Sequence, residues 1–230
     1  DKLGEHEFVM GPGSDSWVNL EEISPHMPKA IVTTEDGAFY KHQGISLSAI
    51  KRAAIKNMKA GYFAHGASTI SMQLVKNLFL SRDKTMSRKL QEMILTWWVE
   101  NSMEKDQILE LYLNVVEFGP AIYGIRSASL HYFGKEPSDL TILECAFLSK
   151  MLPNPIARYK YYEAGGLDDA WRAVLDRVVT KMFERGYITE EEWKEAMASG
   201  FVFHYSTPGE AEDPSDGQDP EDDAAVDPAS

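Results

Sequence analysis

Helix-start signals recur along most of this 230-residue chain, and they constrain its fold more than any other feature. Ser24-Pro25 is an N-cap followed by a proline, which predicts a helix that runs toward Glu35. Capping boxes at Thr141 and Thr189, each with a Glu three residues later, begin two further helices. Strand signals are few and short, so the predicted fold class is mainly α. The other predicted helices cover residues 46–60, 69–80, 86–103, 105–113 and 167–185.

The acidic charge of the chain is concentrated at one end. The formal net charge is −13, and residues 207–230 hold nine acidic side chains and no Lys or Arg, which leaves −4 for the rest. This segment is rich in Pro, Gly, Ser and Ala and has no aromatic residue, so we expect a disordered tail. The hydrophobic content of 43% suits a globular body with a sizeable core. No nucleic-acid partner is expected.

The ends and the single cysteine say little about function. The chain begins with Asp1 and not Met, so we expect a fragment or a processed chain. No run of about 18 apolar residues is present, so no segment is predicted to span a bilayer, and no signal peptide is visible. Any anchor of the full protein would lie outside this piece. Cys145 lies among apolar residues and is predicted to be buried, not nucleophilic.

Glu35 is the first candidate catalytic residue. It lies near Ile31, Val32 and Phe39. An apolar surround raises the pKa of a carboxyl group, which suits a residue that takes or gives a proton near neutral pH. The alternative is an ordinary solvated Glu at a helix end, which composition alone favours. His42 could donate to a substrate oxygen, although a lone His is more often structural.

Glu92 is the second candidate carboxylate. Arg88 and Lys89 lie four and three residues before it, so the three share one face of the helix predicted over 86–103. The alternative is a surface salt-bridge cluster that contributes about 0.3 kcal/mol per pair. Glu35 lies 57 residues before Glu92, so only the fold could bring the two carboxylates together.

Basic residues are concentrated between positions 76 and 89, where they outnumber a single acid. Such a cluster could neutralise a diphosphate leaving group. The alternative, that these residues form a solvated helix face without a ligand, is about as well supported by the sequence. No His pair has metal-ligand spacing, and a divalent ion bridging Glu92 and a diphosphate stays open. The basic residues are Lys76, Arg82, Lys84, Arg88 and Lys89.

Two helical segments have strong amphipathic patterns. Residues 46–63 alternate basic and apolar side chains and end in Tyr62 and Phe63. Such a helix can lie in a membrane interface, although periodicity alone favours packing against the core. The helix over 86–103 has one apolar stripe, and its residues Arg88, Lys89 and Glu92 point elsewhere. The stripe consists of Leu90, Ile94, Trp97 and Asn101.

Five ordered blocks carry a resemblance to a known family. With them the chain resembles, from about residue 23 to about residue 205, the peptidoglycan glycosyltransferase domain of glycosyltransferase family 51. That domain occurs in class A penicillin-binding proteins and in monofunctional transglycosylases. The blocks are Glu35-Asp36-x-x-Phe39-x-x-His42-x-Gly44; Gly66-x-Ser68-Thr69-Ile70-x-x-Gln73-Leu74-x-Lys76-Asn77; Arg88-Lys89-x-x-Glu92; Glu110-Leu111-Tyr112-Leu113-Asn114; and Phe118-Gly119-x-x-x-Tyr123-Gly124 leading to Tyr132-Phe133-Gly134-Lys135.

The resemblance implies a lysozyme-like α-helical fold with a larger head and a smaller jaw that contacts the membrane. The implied organisation is a lead-in at 1–22, the glycosyltransferase domain at 23–206 with its jaw at about 46–65, and the acidic tail at 207–230. The implied reaction is polymerisation of lipid II into glycan strands, with release of undecaprenyl diphosphate and inversion at the anomeric carbon. The implied place is the extracytoplasmic, periplasmic face of the bacterial inner membrane. Lipid II, the growing glycan and cell-wall synthesis proteins are the implied partners.

The resemblance also implies roles for individual residues. Glu35 would be the general base that deprotonates the acceptor hydroxyl. Glu92 would support the donor diphosphate, either through Mg²⁺ or Mn²⁺ or by ordering its basic neighbours, and no organic cofactor is implied. The cations that would stabilise the departing diphosphate are Lys76, Lys84, Arg88 and Lys89. The residues that would bind substrate or shape the cleft are Asp36, Phe39, His42, Ser68, Thr69, Gln73 and Asn77.

Three positions depart from the usual pattern of the family. Ala67 and Ala121 stand where the family usually has Gly, and Met72 replaces a Gln near the donor site. None of the three alters Glu35 or Glu92, so activity is still expected.

Two other functions compete with this one. A lysozyme-like cleft could cut glycan, although a hydrolase has no diphosphate to stabilise. A catalytically silent domain could bind a membrane or a partner within a larger envelope protein.

Overall fold

The computed structural model describes residues 11, 13, 14, 16–61, 66–80 and 85–205. In this part an antiparallel hairpin joins β1, Glu117–Gly119, to β2, Ile122–Tyr123. All other regular elements are helical, which confirms the mainly α class. The α-helices are α1 (His26–Thr34), α2 (Leu47–Ala60), α3 (Ile70–Phe79), α4 (Met86–Ser102), α5 (Lys105–Val115), α6 (Ile125–Phe133), α7 (Ile142–Met151), α8 (Pro155–Arg158), α9 (Lys160–Glu163), α10 (Asp169–Glu184) and α11 (Glu190–Ala198).

The caps confirm the helix starts predicted at Thr69, Thr141 and Thr189. The Ser24 cap predicted for α1 was wrong, because Pro25 occupies the N-cap position and no side chain caps that helix. The Thr141 hydroxyl accepts from the Glu144 N–H, and the Glu144 carboxylate accepts from the Thr141 N–H at 2.8 Å, which closes the capping box of α7. Thr189 forms the same box at α11. Thr69 caps α3 by accepting from the backbone N–H of the third residue of that helix. These side chains satisfy amide groups that the first helical turn leaves without partners, so they fix where each helix begins.

Two groups of helices enclose one hydrophobic core. Helices α1, α7, α10 and α11 pack against one another, and α3 packs against both α4 and α5. Helix α7 is buried almost all round and occupies the centre of the first group. Cys145 on α7 is fully buried, as predicted, and burial raises the pKa of its thiol. The two groups meet at the C-terminal end of α1 and the middle of α3.

Helices α1 and α7 run in the same direction. The Ser24 hydroxyl, just before α1, donates to the Leu140 carbonyl oxygen, just before α7, at 2.8 Å. The Ser24 N–H also donates to the Pro137 carbonyl oxygen at 2.9 Å. The two helices therefore begin together, and because they pack along each other they also end together. Their C-terminal ends, at Thr34 and Met151, lie at the same end of the bundle.

Helices α2 and α4 present apolar side chains to solvent. Helix α2 makes sparse contacts with the other elements, and Ala53 is its one buried residue. On α4 the apolar stripe predicted over 90–101 faces outward, and Trp97 is 63% exposed. The buried side of α4 carries Glu92 instead, so a surface location for that carboxylate was wrong. No helix in the described part is long and apolar enough to cross a bilayer.

Candidate active site

Glu35 ends α1 and has its carboxylate fixed by a chain of hydrogen bonds. Its backbone N–H still donates to the Ile31 carbonyl oxygen at 2.8 Å, as a helical residue would. The Gln73 amide of α3 donates to Glu35 Oε2 at 2.9 Å, and the hydroxyl of the fully buried Tyr112 of α5 donates to Gln73 Oε1 at 3.1 Å. Because both ends of the Gln73 amide are bonded, its donor group is held toward Glu35.

The environment of Glu35 suits proton transfer. Burial raises the pKa of its carboxyl group, as the sequence predicted. The hydrogen bond from Gln73 and the charges of Lys150 and Arg158 lower it again, while Asp36 raises it. A carboxylate of raised pKa is a stronger base than an ordinary surface Glu, so it can accept a proton from a hydroxyl group as that group attacks.

The loop after Glu35 is tied to the start of α3. The nearly buried Asp36 accepts from His42 Nε2 at 2.8 Å and from the Ile70 N–H at 3.2 Å. The Thr69 hydroxyl, also buried, donates to the Gly44 carbonyl oxygen at 2.6 Å. Asp36, His42 and Thr69 therefore hold the loop in place, and His42 directs its Nε2 toward Asp36.

The same loop also packs closely against α4. Gly44 has φ +79°, and a Cβ added there would lie 2.7 Å from Thr96 Cγ2, so only glycine fits without displacement. Phe39 is fully buried and meets the His42 ring edge to face, with ring centroids 6.4 Å apart. The Lys105 ammonium of α5 lies 4.5 Å from the centre of the Phe39 ring. Phe39 thus supports the loop from behind, which fits a role in shaping the cleft.

An open cleft of about 330 Å³ lies beside Glu35. One side is formed by the end of α1 with Glu35 and Asp36, and the other by α2. Residues 66–69 line the cleft between these two sides, so the exposed Ser68 faces this space, as does Ala67. Two basic side chains of α2, Arg52 and Lys56, complete the lining, so part of the polar face of this helix faces the cleft.

A second group of charges lies on α4. Glu92 is only 2% exposed, and its two carboxylate oxygens accept from Arg88 Nη1 at 2.8 Å and from Lys89 Nζ. Both cations keep contact with solvent, Lys89 the more so. Each carboxylate oxygen thus already accepts from a cation, and the described residues hold no cluster of three acidic, His or Cys side chains suited to a metal. The contacts of Glu92 in this structure are those of a partner for two cations.

The remaining predicted residues are placed on α3 or outside the described part. Lys76 and Asn77 are exposed on α3, the helix that supplies Gln73 and packs against α4. Met72 is buried and is not among the residues that line this cleft. Lys84 lies outside the described residues, as does Arg82. In the part that is described, Glu35 and the Glu92 cluster make no direct contact and are connected through α3 and the 36–44 loop.

Three residues near Glu35 were missed by the sequence analysis. Tyr112 lies within the Glu110–Asn114 block, so the block itself was a signal for it. Lys150 is the single basic residue of the apolar helix α7, which sets it apart from its neighbours. Arg158 lies at the end of the short α8 and gave no local signal, because its approach to Glu35 depends on how α7 and α8 are arranged.

Comparisons with known proteins show which family the chain belongs to. The family model described as Transglycosylase matches residues 6–179. A biosynthetic peptidoglycan transglycosylase from Nitrosospira multiformis is 47% identical over 164 residues, covering 71% of each chain. Penicillin-binding protein 1A from Aquifex aeolicus is 41% identical over 86% of this chain and 27% of its own. The crystal structure of penicillin-binding protein 1A from Haemophilus influenzae has a TM-score of 0.45 and 17% identity, over 83% of this chain and 18% of that one. The chain belongs to the transglycosylase family.

Proposed function

We propose that this chain is a peptidoglycan glycosyltransferase that polymerises lipid II into glycan strands. The observation that carries the proposal is the Glu35 carboxylate, held by Gln73 beside an open cleft in surroundings that raise its pKa. The names of the relatives from Nitrosospira multiformis and Nitrosomonas eutropha, both biosynthetic peptidoglycan transglycosylases, support it.

In the proposed reaction, Glu35 takes the proton from the 4-hydroxyl of the acceptor GlcNAc. The hydroxyl oxygen forms a bond to the anomeric carbon of the donor glycan while the bond from that carbon to the diphosphate breaks. Attack opposite the leaving group inverts the configuration from α to β. The electron pair of the broken bond leaves with undecaprenyl diphosphate, and the proton stays on Glu35 until water removes it. General-base catalysis of this kind contributes about 10²- to 10⁴-fold in rate.

The leaving diphosphate needs cations, and the α4 cluster is suited to supply them. Arg88 and Lys89 are oriented by the buried Glu92, so their charges are held in place before substrate arrives. Preorganised charges stabilise a developing anion more than mobile ones do. Lys76 projects from the neighbouring α3. We assign the donor diphosphate to this group, together with Lys84.

The exposed apolar side chains of α2 and α4 support contact with a lipid surface. Leu47 and Met58 on α2, and Met86, Trp97 and Trp98 on α4, are all largely exposed. Aromatic and basic side chains on such faces favour the interface between headgroups and acyl chains. The proposed membrane surface is thus larger than the 46–63 segment predicted from sequence. With α2 as the jaw beside a head formed by the core, the enzyme would act at the periplasmic face of the inner membrane.

The experiment that tests this function compares two substrates. Protein in detergent is given fluorescent lipid II in one reaction and preformed, undigested glycan in the other, and the products are separated by size. Polymer from lipid II with intact glycan in the second reaction is expected. Shortened glycan would show a hydrolase or a lytic enzyme instead. Folded protein that changes neither substrate would support a silent binding domain.

A further inference from the structure

Glu35 lies at the end of the bundle where helices α1 and α7 both terminate. Helices α1 and α7 run in parallel and end together, with Glu35 directly after α1 and Lys150 in the last turn of α7. The C-terminus of a helix carries the equivalent of about half a negative charge, which disfavours a nearby carboxylate. Burial disfavours the charged form as well. An ionised Glu35 therefore needs positive charge from elsewhere in the fold.

Lys150 and Arg158 supply that charge from the side of α7 and α8. Both act electrostatically on Glu35, and both are partly buried. Among the described residues, neither forms an ion pair with a carboxylate within 4 Å. Their charges are therefore not cancelled by a close partner, and Glu35 is an acidic group in their reach.

Arg158 is held in place by contacts on two sides. Its guanidinium donates to the Lys150 carbonyl oxygen, one of the last carbonyl groups of α7, and so offsets the negative end of that helix. It also lies 5.4 Å from the centre of the buried Trp171 ring, which stacks on Tyr161 at 4.4 Å. Such contacts restrict the position of the Arg158 charge and couple it to the helix turn that carries Lys150.

We propose that Lys150 is a positioning residue for the glycosyl transfer, and that with Arg158 it keeps the Glu35 carboxylate ionised before the acceptor hydroxyl arrives. This inference rests on the proposed role of Glu35 as the base. Lys150 acts through Glu35 and does not touch the reacting atoms. Neither residue belongs to the motif blocks that identify the family in this sequence.

Several other polar and charged groups surround Glu35 and Lys150. Asp36 acts on Glu35 from its own loop, Gln73 of α3 donates to the Glu35 carboxylate, and Tyr112 of α5 donates to Gln73. Burial and Arg158 lower the pKa of Lys150, as do Lys181 and Arg177 of α10, while Glu35 raises it. Across the cleft, α2 presents the further cations Arg52 and Lys56.

The test is the pH dependence of initial polymerisation rates for Lys150→Met and Lys150→Arg beside the wild type. Loss of the Lys150 charge raises the pKa of Glu35 further. Lys150→Met should therefore lose activity at acidic pH and match the wild type at the alkaline plateau, while Lys150→Arg should restore the wild-type profile. Lys181→Met is the matched control, because Lys181 acts on Lys150 but not on Glu35, and its profile should not move.

A second readout is independent of turnover. Titration of ¹³C-labelled Glu carboxyl groups by NMR, with the Glu35 signal assigned through its absence in Glu35→Gln, should move to higher pH in folded Lys150→Met. Lys150→Gln provides the same test if the Met variant is unstable. An unmoved Glu35 titration would overturn the inference even if the enzyme polymerises lipid II. A moved titration in a protein without polymerase activity would leave the inference intact and contradict the proposed function.

Discussion

Glu92 on α4 and Glu144 on α7 are both buried carboxylates paired with lysine, yet their surroundings differ. Glu144 closes the capping box of its own helix and accepts from Lys135 Nζ at 2.8 Å, inside a helix whose other side chains fill the core. Glu92 caps nothing. It binds two cations of its own helix, and most large apolar side chains of that helix are exposed.

The difference shows what burial of a carboxylate can indicate. Glu144 satisfies amide groups and a lysine that the fold itself leaves without partners, so its burial is explained by stability. Glu92 orients Arg88 and Lys89, and no backbone group depends on its carboxylate. A buried acid that orients two partly exposed cations therefore fits a substrate-binding role.

The largest effect should come from changing each carboxylate to its amide. Glu92→Gln should slow lipid II polymerisation by about 10²-fold or more, because Arg88 and Lys89 are no longer oriented for the diphosphate, with little change in unfolding. Glu144→Gln should keep its activity and lower the free energy of unfolding by about 1 kcal/mol, through loss of the ion pair with Lys135. Polymerisation rates and urea unfolding measure both. Equal activity losses in the two variants would break the comparison.

The buried side chains of α7 and the exposed side chains of α4 should differ in the same way: the first determine stability and the second lipid binding. Leu148→Ala on α7 should lower the free energy of unfolding by about 2–5 kcal/mol, because it leaves a cavity in the core. The double change Trp97→Ser and Trp98→Ser on α4 should alter that free energy by no more than about 0.5 kcal/mol. The double variant should instead bind anionic lipid vesicles at least about tenfold more weakly. Vesicle co-sedimentation and urea unfolding separate the effects, and a strongly destabilised double variant would place α4 in the core.

A smaller effect is expected outside both regions, at the β1–β2 turn. Ala121 has φ +60° and is exposed, a conformation that glycine adopts without the clash of a Cβ. Ala121→Gly should therefore stabilise the fold by about 1 kcal/mol and leave the polymerisation rate unchanged. Thermal unfolding checks it, with exposed Ala198→Gly at the end of α11 as a control that should destabilise or do nothing. A destabilised Ala121→Gly would show that the turn carries no strain.

The smallest expected effect is on the free energy of unfolding, which the ionisation of Glu35 lowers at neutral pH. Its pKa is raised in the folded state, mainly by burial. Protonation therefore favours folding, so Glu35 stabilises the fold below its ordinary pKa of 4.5, and this contribution is lost as pH rises through the raised value. Glu35→Gln should have a higher melting temperature than the wild type at pH 7.5, and the difference should disappear near pH 4. A variant less stable than the wild type at neutral pH would contradict this.

Much of the helical fold followed from the sequence because capping is local. Ser46, Thr69, Thr141 and Thr189 each cap the helix that their position predicted. The raised pKa of Glu35 was predicted from its apolar neighbours. The outward face of α4 did not follow, because a periodic pattern gives the direction of an apolar stripe and not whether core or lipid covers it.

The electrostatic partners of Glu35 were also beyond local reasoning. Lys150 lies 115 residues from Glu35 in the sequence, and its charge acts on Glu35 because Ser24 sets α1 and α7 side by side and in parallel. The same holds for the Tyr112–Gln73 chain, which needs α3 and α5 to pack. Motif resemblance named Gln73, but its contact with the Glu35 carboxylate is a product of the fold.

The most direct test of the central claim is the initial rate of fluorescent lipid II polymerisation by the wild type, Glu35→Gln and the exposed control Glu191→Gln, with binding of lipid II measured on the same samples. If Glu35 is the general base, Glu35→Gln should bind lipid II normally and polymerise it about 10²- to 10⁴-fold more slowly, while Glu191→Gln matches the wild type. A folded Glu35→Gln that polymerises lipid II within a few-fold of the wild-type rate would contradict the account.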